Sequence, residues 1–164
     1  MPVVDVNKDT DNLTLTITAE FAAPVARVWQ VYADPRQLEK VWGPPGYPAT
    51  VVEHSLAPGG RVVYYMTSPE GEKYPGYWAV TSVDEPRAFS FEDGFANDDY
   101  SPNTDLPVSH CDYRFEEVDG GTRAIYRSRY GSAEALQQVL DMGMEEGATQ
   151  AINQIDDFLA QRST

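Results

Sequence analysis

The sequence predicts an α+β fold: a curved antiparallel sheet of about six to seven strands wrapped around a long C-terminal helix, with two short helices after the first strand. Three observations predict it. Short β-branched and aromatic segments, separated by Gly/Pro turns, fill residues 49–130. Two brief segments with apolar residues at helical spacing precede them. Residues 132–161 carry an apolar stripe that recurs every three or four positions.

"NLTLTITAEF" (12–21) alternates and is rich in Leu, Ile and Thr, so it reads as the first strand. "APVARVWQVYADP" then places Val25, Val28, Trp29 and Tyr32 on one helical face, with Pro24 suited to the first turn. Asp34, Pro35 and Gln37 match a capping box, so a second short helix carries Leu38, Val41 and Trp42. It must stop at Gly43, because Pro44, Pro45 and Pro48 forbid its continuation.

Strands follow at 49–56, 61–68, 74–84 and 87–95, divided by Pro58-Gly59-Gly60, Pro69-Glu70-Gly71 and Glu85-Pro86. A loop occupies 96–107. "VSHCDYRFEEV" and "TRAIYRSRY" flank Asp119-Gly120-Gly121, a hairpin signal. Cys111, Tyr113 and Phe115 alternate there with Asp112, Arg114 and Glu116, as in a sheet covered on one face. Ser132 suits the N-cap of a final helix over 133–159, on which Leu136, Leu140, Gly143, Gly147, Ala151, Ile155 and Phe158 form the stripe.

The chain of 164 residues is most simply one domain, with its core at about 12–160. Its net charge of -14 opposes nucleic acid and anionic membrane, and no basic cluster offsets it. The lone cysteine, Cys111, excludes an internal disulfide and suits a reducing compartment. The N-terminus lacks the pattern of a signal peptide, so a cytoplasmic location is expected.

The ordered set "APVARVWQVYADPRQLEKVWGPPG", "APGGRVVYYMTSPEGEKYPGYWAVTSVDEPRAFSF", "GGTRAIYRS" and the closing glycine-containing helix resembles the START-like, or SRPBCC, helix-grip superfamily. Within it the chain is similar to the AHSA-type family, homologues of the heat-shock chaperone ATPase activator. Two departures stand out: the 96–107 loop is longer and more acidic, and "VWGPPG" has one tryptophan where many relatives have two. The resemblance implies that the short helices grip the C-terminal helix and that Trp42 plugs one end of a hydrophobic cavity.

By alternation, Tyr64, Met66, Trp78, Val80, Phe89, Phe91, Tyr113, Phe115 and Tyr126 point inward and would line that cavity. Gly143 and Gly147, four apart on the helical stripe, serve either close packing or open volume, and Met144 suits an adaptable lining. The expected ligand is a small apolar or aromatic molecule. A polyketide cyclase or dehydratase-like enzyme and a chaperone-interacting module in stress response are the alternatives, and a homodimer is left open. No cofactor motif is present. His54 and His110 are the only histidines, with no metal-ligand spacing around them, and no G-x-S-x-G occurs. Cys111 reads as inert core. Asp98, Asp99 and Asp105 fail calcium-loop spacing and read as a solvated loop, with a lid over the pocket as the functional alternative. Arg127 and Arg129 read as partners of the acidic face around Asp112 and Glu116.

Overall fold

The structure, a computed structural model, describes residues 3–162, with the backbone alone at 161 and 162. The elements run β1 (Val3–Asp9), β2 (Thr14–Phe21), α1 (Val25–Ala33), α2 (Pro35–Val41), β3 (Ala49–His54), β4 (Arg61–Thr67), β5 (Lys73–Asp84), β6 (Ala88–Phe95), β7 (Ser109–Val118), β8 (Gly121–Tyr130), α3 (Ala133–Asp141) and α4 (Met144–Arg162). All strand pairs are antiparallel. The spatial order is β1-β2-β8-β7-β6-β5-β4-β3, an open sheet of eight strands.

Two expectations are corrected. The sheet has eight strands, not six to seven, because residues 3–9 form an edge strand beside β2. Only Val3 and Val6 of this strand pack on the core, so it shows no clean alternation. Asp9 closes the β1–β2 turn: its carboxylate accepts from the Asn12 amide at 2.7 Å and from two backbone N–H groups. These bonds hold the Asp9 carboxyl below its ordinary pKa.

The C-terminal segment is two helices rather than one. Gly143 takes φ +82° between them, with its N–H on the Leu140 carbonyl at 3.0 Å. A left-handed glycine is a common way to end a helix. Leu136 and Val139 of α3 pack with Tyr130 in a satellite cluster that Met144 joins. Ile152, Ile155 and Leu159 of α4 join the main core. The apolar stripe is therefore divided at the break between two clusters.

The helix pair forms as read. Pro24 is the cap residue of α1. The Asp34 carboxylate accepts from the Arg36 N–H at 3.0 Å and from the Gln37 amide at 3.1 Å. The Gly-Pro-Pro-Gly turn then docks on α4. The Gln154 amide donates to the Gly43 carbonyl at 2.7 Å, and a Cβ on Gly147 would lie 4.0 Å from the Pro44 ring.

Residues 96–107 fold onto the outer face of the sheet. Arg61 donates to the Tyr100 carbonyl at 3.1 Å, and Tyr100 packs against a small cluster of Val63, Tyr77 and Ala96. Asp98, Asp99 and Asp105 are exposed there. The outer face also carries the ion pair of Arg127 with Asp112 at 2.8 Å, braced by the Ser90 hydroxyl at 2.6 Å.

Candidate functional site

Register partners in an antiparallel sheet face the same side, so the pairing maps the concave face row by row. One row is Val83, Phe89, Tyr113, Tyr126 and Ile17. The next is Val80, Phe91, Cys111, Ser128 and Leu15. The third is Val62, Trp78, Asp93, Ser109 and Tyr130. The face therefore grades from an aromatic row to a polar one.

Helix α1 covers the aromatic row. Trp29 meets Phe89 and Phe115 edge-on at 5.7 and 6.2 Å. The Tyr32 hydroxyl donates to the Tyr126 hydroxyl at 2.7 Å, beneath the surface. Tyr113 stands between Phe89, Phe91 and Tyr126, with ring centroids at 5.3, 5.0 and 4.6 Å. Edge-to-face pairs of this kind lock ring orientation as well as burying area.

Trp42 closes the β4–β5 side. Its ring lies 4.8 Å from Trp78 and 5.8 Å from Tyr64. Tyr64 crosses Gly76, where any side chain would strike the phenol ring, so this strand glycine is required for a close approach.

The structure brings Trp42, Tyr64, Met66, Trp78, Phe89, Phe91, Tyr113, Phe115 and Tyr126 into or against one core. It does not bring Gly143 there. Gly143 is exposed at the helix break, and a Cβ on it would meet open space. Met144 packs in the satellite cluster instead, and Gly147 faces Pro44 rather than the strands.

Asp93 is the residue missed from sequence. It continues the inward alternation of Phe89 and Phe91, a signal present in "RAFSFEDGF". Burial pushes its carboxyl from 3.8 up to about 7, opposed by the neighbouring Tyr64 hydroxyl. Its negative charge in turn raises Tyr64, Cys111, Tyr113 and Tyr130, each already raised first by burial. Cys111 reaches about 12, between the Ser109 and Ser128 hydroxyls at 3.6 and 3.5 Å, and is an inert thiol.

Asp93, Tyr113 and Ser128 are only half-buried, although they lie in the middle of this wall. Met66 and Trp42 are half-buried as well. Two buried indole N–H groups, of Trp42 and Trp78, have no hydrogen-bond partner. The Trp42 N–H still lies close enough to the Tyr64 hydroxyl to favour its ionised form.

The remaining candidates are structural or solvated. His54 Nε2 contacts the Tyr32 carbonyl oxygen at 2.8 Å, tying β3 to α1. His110 pairs with Glu92 at 3.6 Å on the outer surface. Among the described residues, no group of three His, Cys, Asp or Glu side chains is placed to hold a metal ion. No helix among them is long and apolar enough to cross a membrane. Two clefts open elsewhere. One of about 580 Å³ lies on the outer face by Arg61, Val63 and Tyr100. One of about 490 Å³ lies beside the Gly-Pro-Pro-Gly turn. None of the lining residues expected from sequence borders either.

Solved structures share this architecture. Protein Ms6760 from Mycobacterium smegmatis is 72% identical over 96% of this chain and 97% of its own, with a TM-score of 0.90. A protein from Arthrobacter aurescens is 44% identical over 97% and 92%, with a TM-score of 0.93. The AHSA1 protein from Silicibacter pomeroyi is 25% identical over 91% and 99%, with a TM-score of 0.74. No curated protein matches the chain. The family model described as "Activator of Hsp90 ATPase homolog 1-like protein" matches residues 22–160, from the start of the helix pair almost to the end of α4. With that span covering most of the chain, from before α1 into the end of α4, the chain belongs to the AHSA1 family, of the START-like SRPBCC fold.

Proposed function

We propose that this protein binds a small apolar or aromatic molecule between the concave face of the sheet and the helices. The observation that carries the reading is the half-buried set Asp93, Tyr113 and Ser128 in the centre of an aromatic wall. Residues deep in a fold that keep accessible surface border a space. Trp42, Tyr64, Met66, Trp78, Phe89, Phe91, Tyr113, Phe115 and Tyr126 are the proposed apolar lining. The acidity of the chain supports a partner that is neither nucleic acid nor membrane. Its single buried thiol supports work in a reducing compartment such as the cytoplasm.

One observation favours a second reading, an enzyme of the polyketide cyclase or dehydratase kind: Asp93 is a deep carboxyl that titrates near neutrality. A chaperone-directed role rests on the family description alone.

Titration with Nile red, a neutral apolar dye, tests the binding reading, followed by native mass spectrometry of protein purified from its source. Dye enhancement with quenching of tryptophan fluorescence is expected, because the half-buried Trp42 lies 4.8 Å from Trp78 beside the aromatic wall. No dye response and no co-purified ligand would end this reading.

A further inference from the structure

Helix α3 is attached differently from the other helices. Its polar side-chain bonds stay within it: the Ser132 hydroxyl accepts from the Ala135 N–H at 3.1 Å, and the Gln137 amide donates to Asp141 at 2.8 Å. Among the described residues, no hydrogen bond or ion pair ties α3 to the sheet or to the body of another helix. Helix α4 is tied by the Gln154 amide on the Gly43 carbonyl at 2.7 Å, by the Val3 N–H on the Asn153 side chain at 3.1 Å, and by the Lys8–Glu145 ion pair at 2.9 Å. Helix α1 is held by the bond between the Tyr32 and Tyr126 hydroxyls, and α2 by Glu39 and Arg36 on the backbone of Val51.

The anchor of α3 is apolar. Leu136 and Val139 are buried with Tyr130 in a cluster separate from the main core. Tyr130 is the register partner of Ser109, and Ser109 that of Asp93. Ser128 lies two positions before Tyr130, on the same face. Helix α3 thus sits at the polar end of the concave face, where Asp93 and Ser128 keep accessible surface. Glycines flank it on both sides: Gly131 and Gly143 each have open space where a Cβ would go.

We infer that α3 is a lid that lifts off the sheet between Gly131 and Gly143, and that the ligand enters beneath it. The entry route rests on the binding reading above; the lifting does not. Relative cost singles out α3. Its release exposes Leu136 and Val139, uncovers Tyr130 and breaks no polar tie. Release of α4 would expose Ala151, Ile152, Ile155 and Leu159 and break every tie named above. Segments with few buried apolar contacts open first, and small residues at an element's ends absorb the backbone rotation.

Two measurements test the lid. The first is hydrogen exchange of the free protein, read by peptide mass spectrometry. The nine residues of α3 are too few to stay helical alone, so lifting exposes their amides. They are expected to exchange about 100-fold or more faster than the amides of residues 152–159 in α4. Equal protection overturns the inference, whether or not any dye binds. The second is the stopped-flow association rate of Nile red. Leu136→Ala enlarges the open population and is expected to speed association about tenfold or more. Leu159→Ala, a buried leucine of α4, is expected to leave the rate within about twofold. If both variants speed entry alike, general loosening is the cause; if neither does, the dye enters elsewhere; either result overturns the inference. Should Leu136→Ala not fold, by circular dichroism, Val139→Ala takes its place. If neither folds, α3 belongs to the global core and is no lid. Should Nile red itself not bind, the binding reading and the entry route fail together, and hydrogen exchange decides the lid.

Discussion

Asp93 of β6 faces Trp78 of β5 across one pair of strands, a carboxyl opposite a buried indole. That relationship sets a pH dependence. The carboxyl is raised from 3.8 to about 7 in the fold, chiefly by burial. The folded state therefore holds a proton that the unfolded chain releases, so its contribution is present at low pH and is lost as pH rises through about 7. The groups facing Asp93 are Tyr64, Cys111, Tyr113 and Tyr130, all raised and still protonated across that window. Asp93→Asn removes the titration. Relative to wild type, it should gain about 3 kcal/mol of stability between roughly pH 4.5 and pH 8. Urea melts of both proteins across that range measure it, and a difference independent of pH would show that Asp93 is solvated.

The Tyr32 and Tyr126 hydroxyls bond at 2.7 Å, joining α1 to β8 under the surface. Removing one leaves the other buried without its partner, which costs more than removing both. Tyr32→Phe and Tyr126→Phe are each expected to cost about 1–2 kcal/mol, and the double variant clearly less than their sum. Additive losses in denaturant melts would mean that each hydroxyl finds water instead.

Much of this arrangement is legible in the sequence. Period-two alternation places Tyr64, Trp78, Phe89, Phe91, Tyr113 and Tyr126 on one face without further help. It fails for β1, which is half-exposed and polar because it is an edge, and so lacks the apolar rhythm of inner strands. It does place Asp93 inward after Phe89 and Phe91, but a charge that follows two phenylalanines also reads as the strand's solvated end, and alternation does not separate the two. The helix break is hidden for a different reason. Gly143 in a helical stripe costs about 1 kcal/mol, whereas the same residue at a left-handed cap costs little, and spacing alone does not separate the two. The contact between the Gly-Pro-Pro-Gly turn and α4 joins residues 43 and 154, and no local pattern encodes a pairing so distant.

Trp42 is half-buried, edge-on to Trp78 and Tyr64, so it closes the interior while keeping one side accessible. Trp42→Ala is expected to cost about 2–4 kcal/mol, toward the lower part of the range for large-to-small changes in full cores. Nile red affinity should fall as well. A loss below about 1 kcal/mol with unchanged dye binding would place the indole outside the core and leave Tyr64 and Trp78 closed without it.

Gly143 and Gly147 lie four residues apart, yet their substitutions should move stability in opposite directions. Gly143 has φ +82° and open space where a Cβ would go. Alanine there meets no neighbour, but it must adopt a left-handed backbone, and Gly143→Ala should cost about 1 kcal/mol. Gly147 lies inside α4 with a helical backbone, and its nearest foreign atom is the Pro44 ring at 4.0 Å, an ordinary van der Waals separation. Gly147→Ala therefore gains helix propensity without a clash and should stabilise by about 0.5–1 kcal/mol. Thermal melts of the two single variants measure both effects. If both substitutions stabilise, residues 133–162 form one continuous helix in solution. If both destabilise, the strands press on Gly147 as well, and the docking of α4 on the proline turn is tighter than the geometry shows.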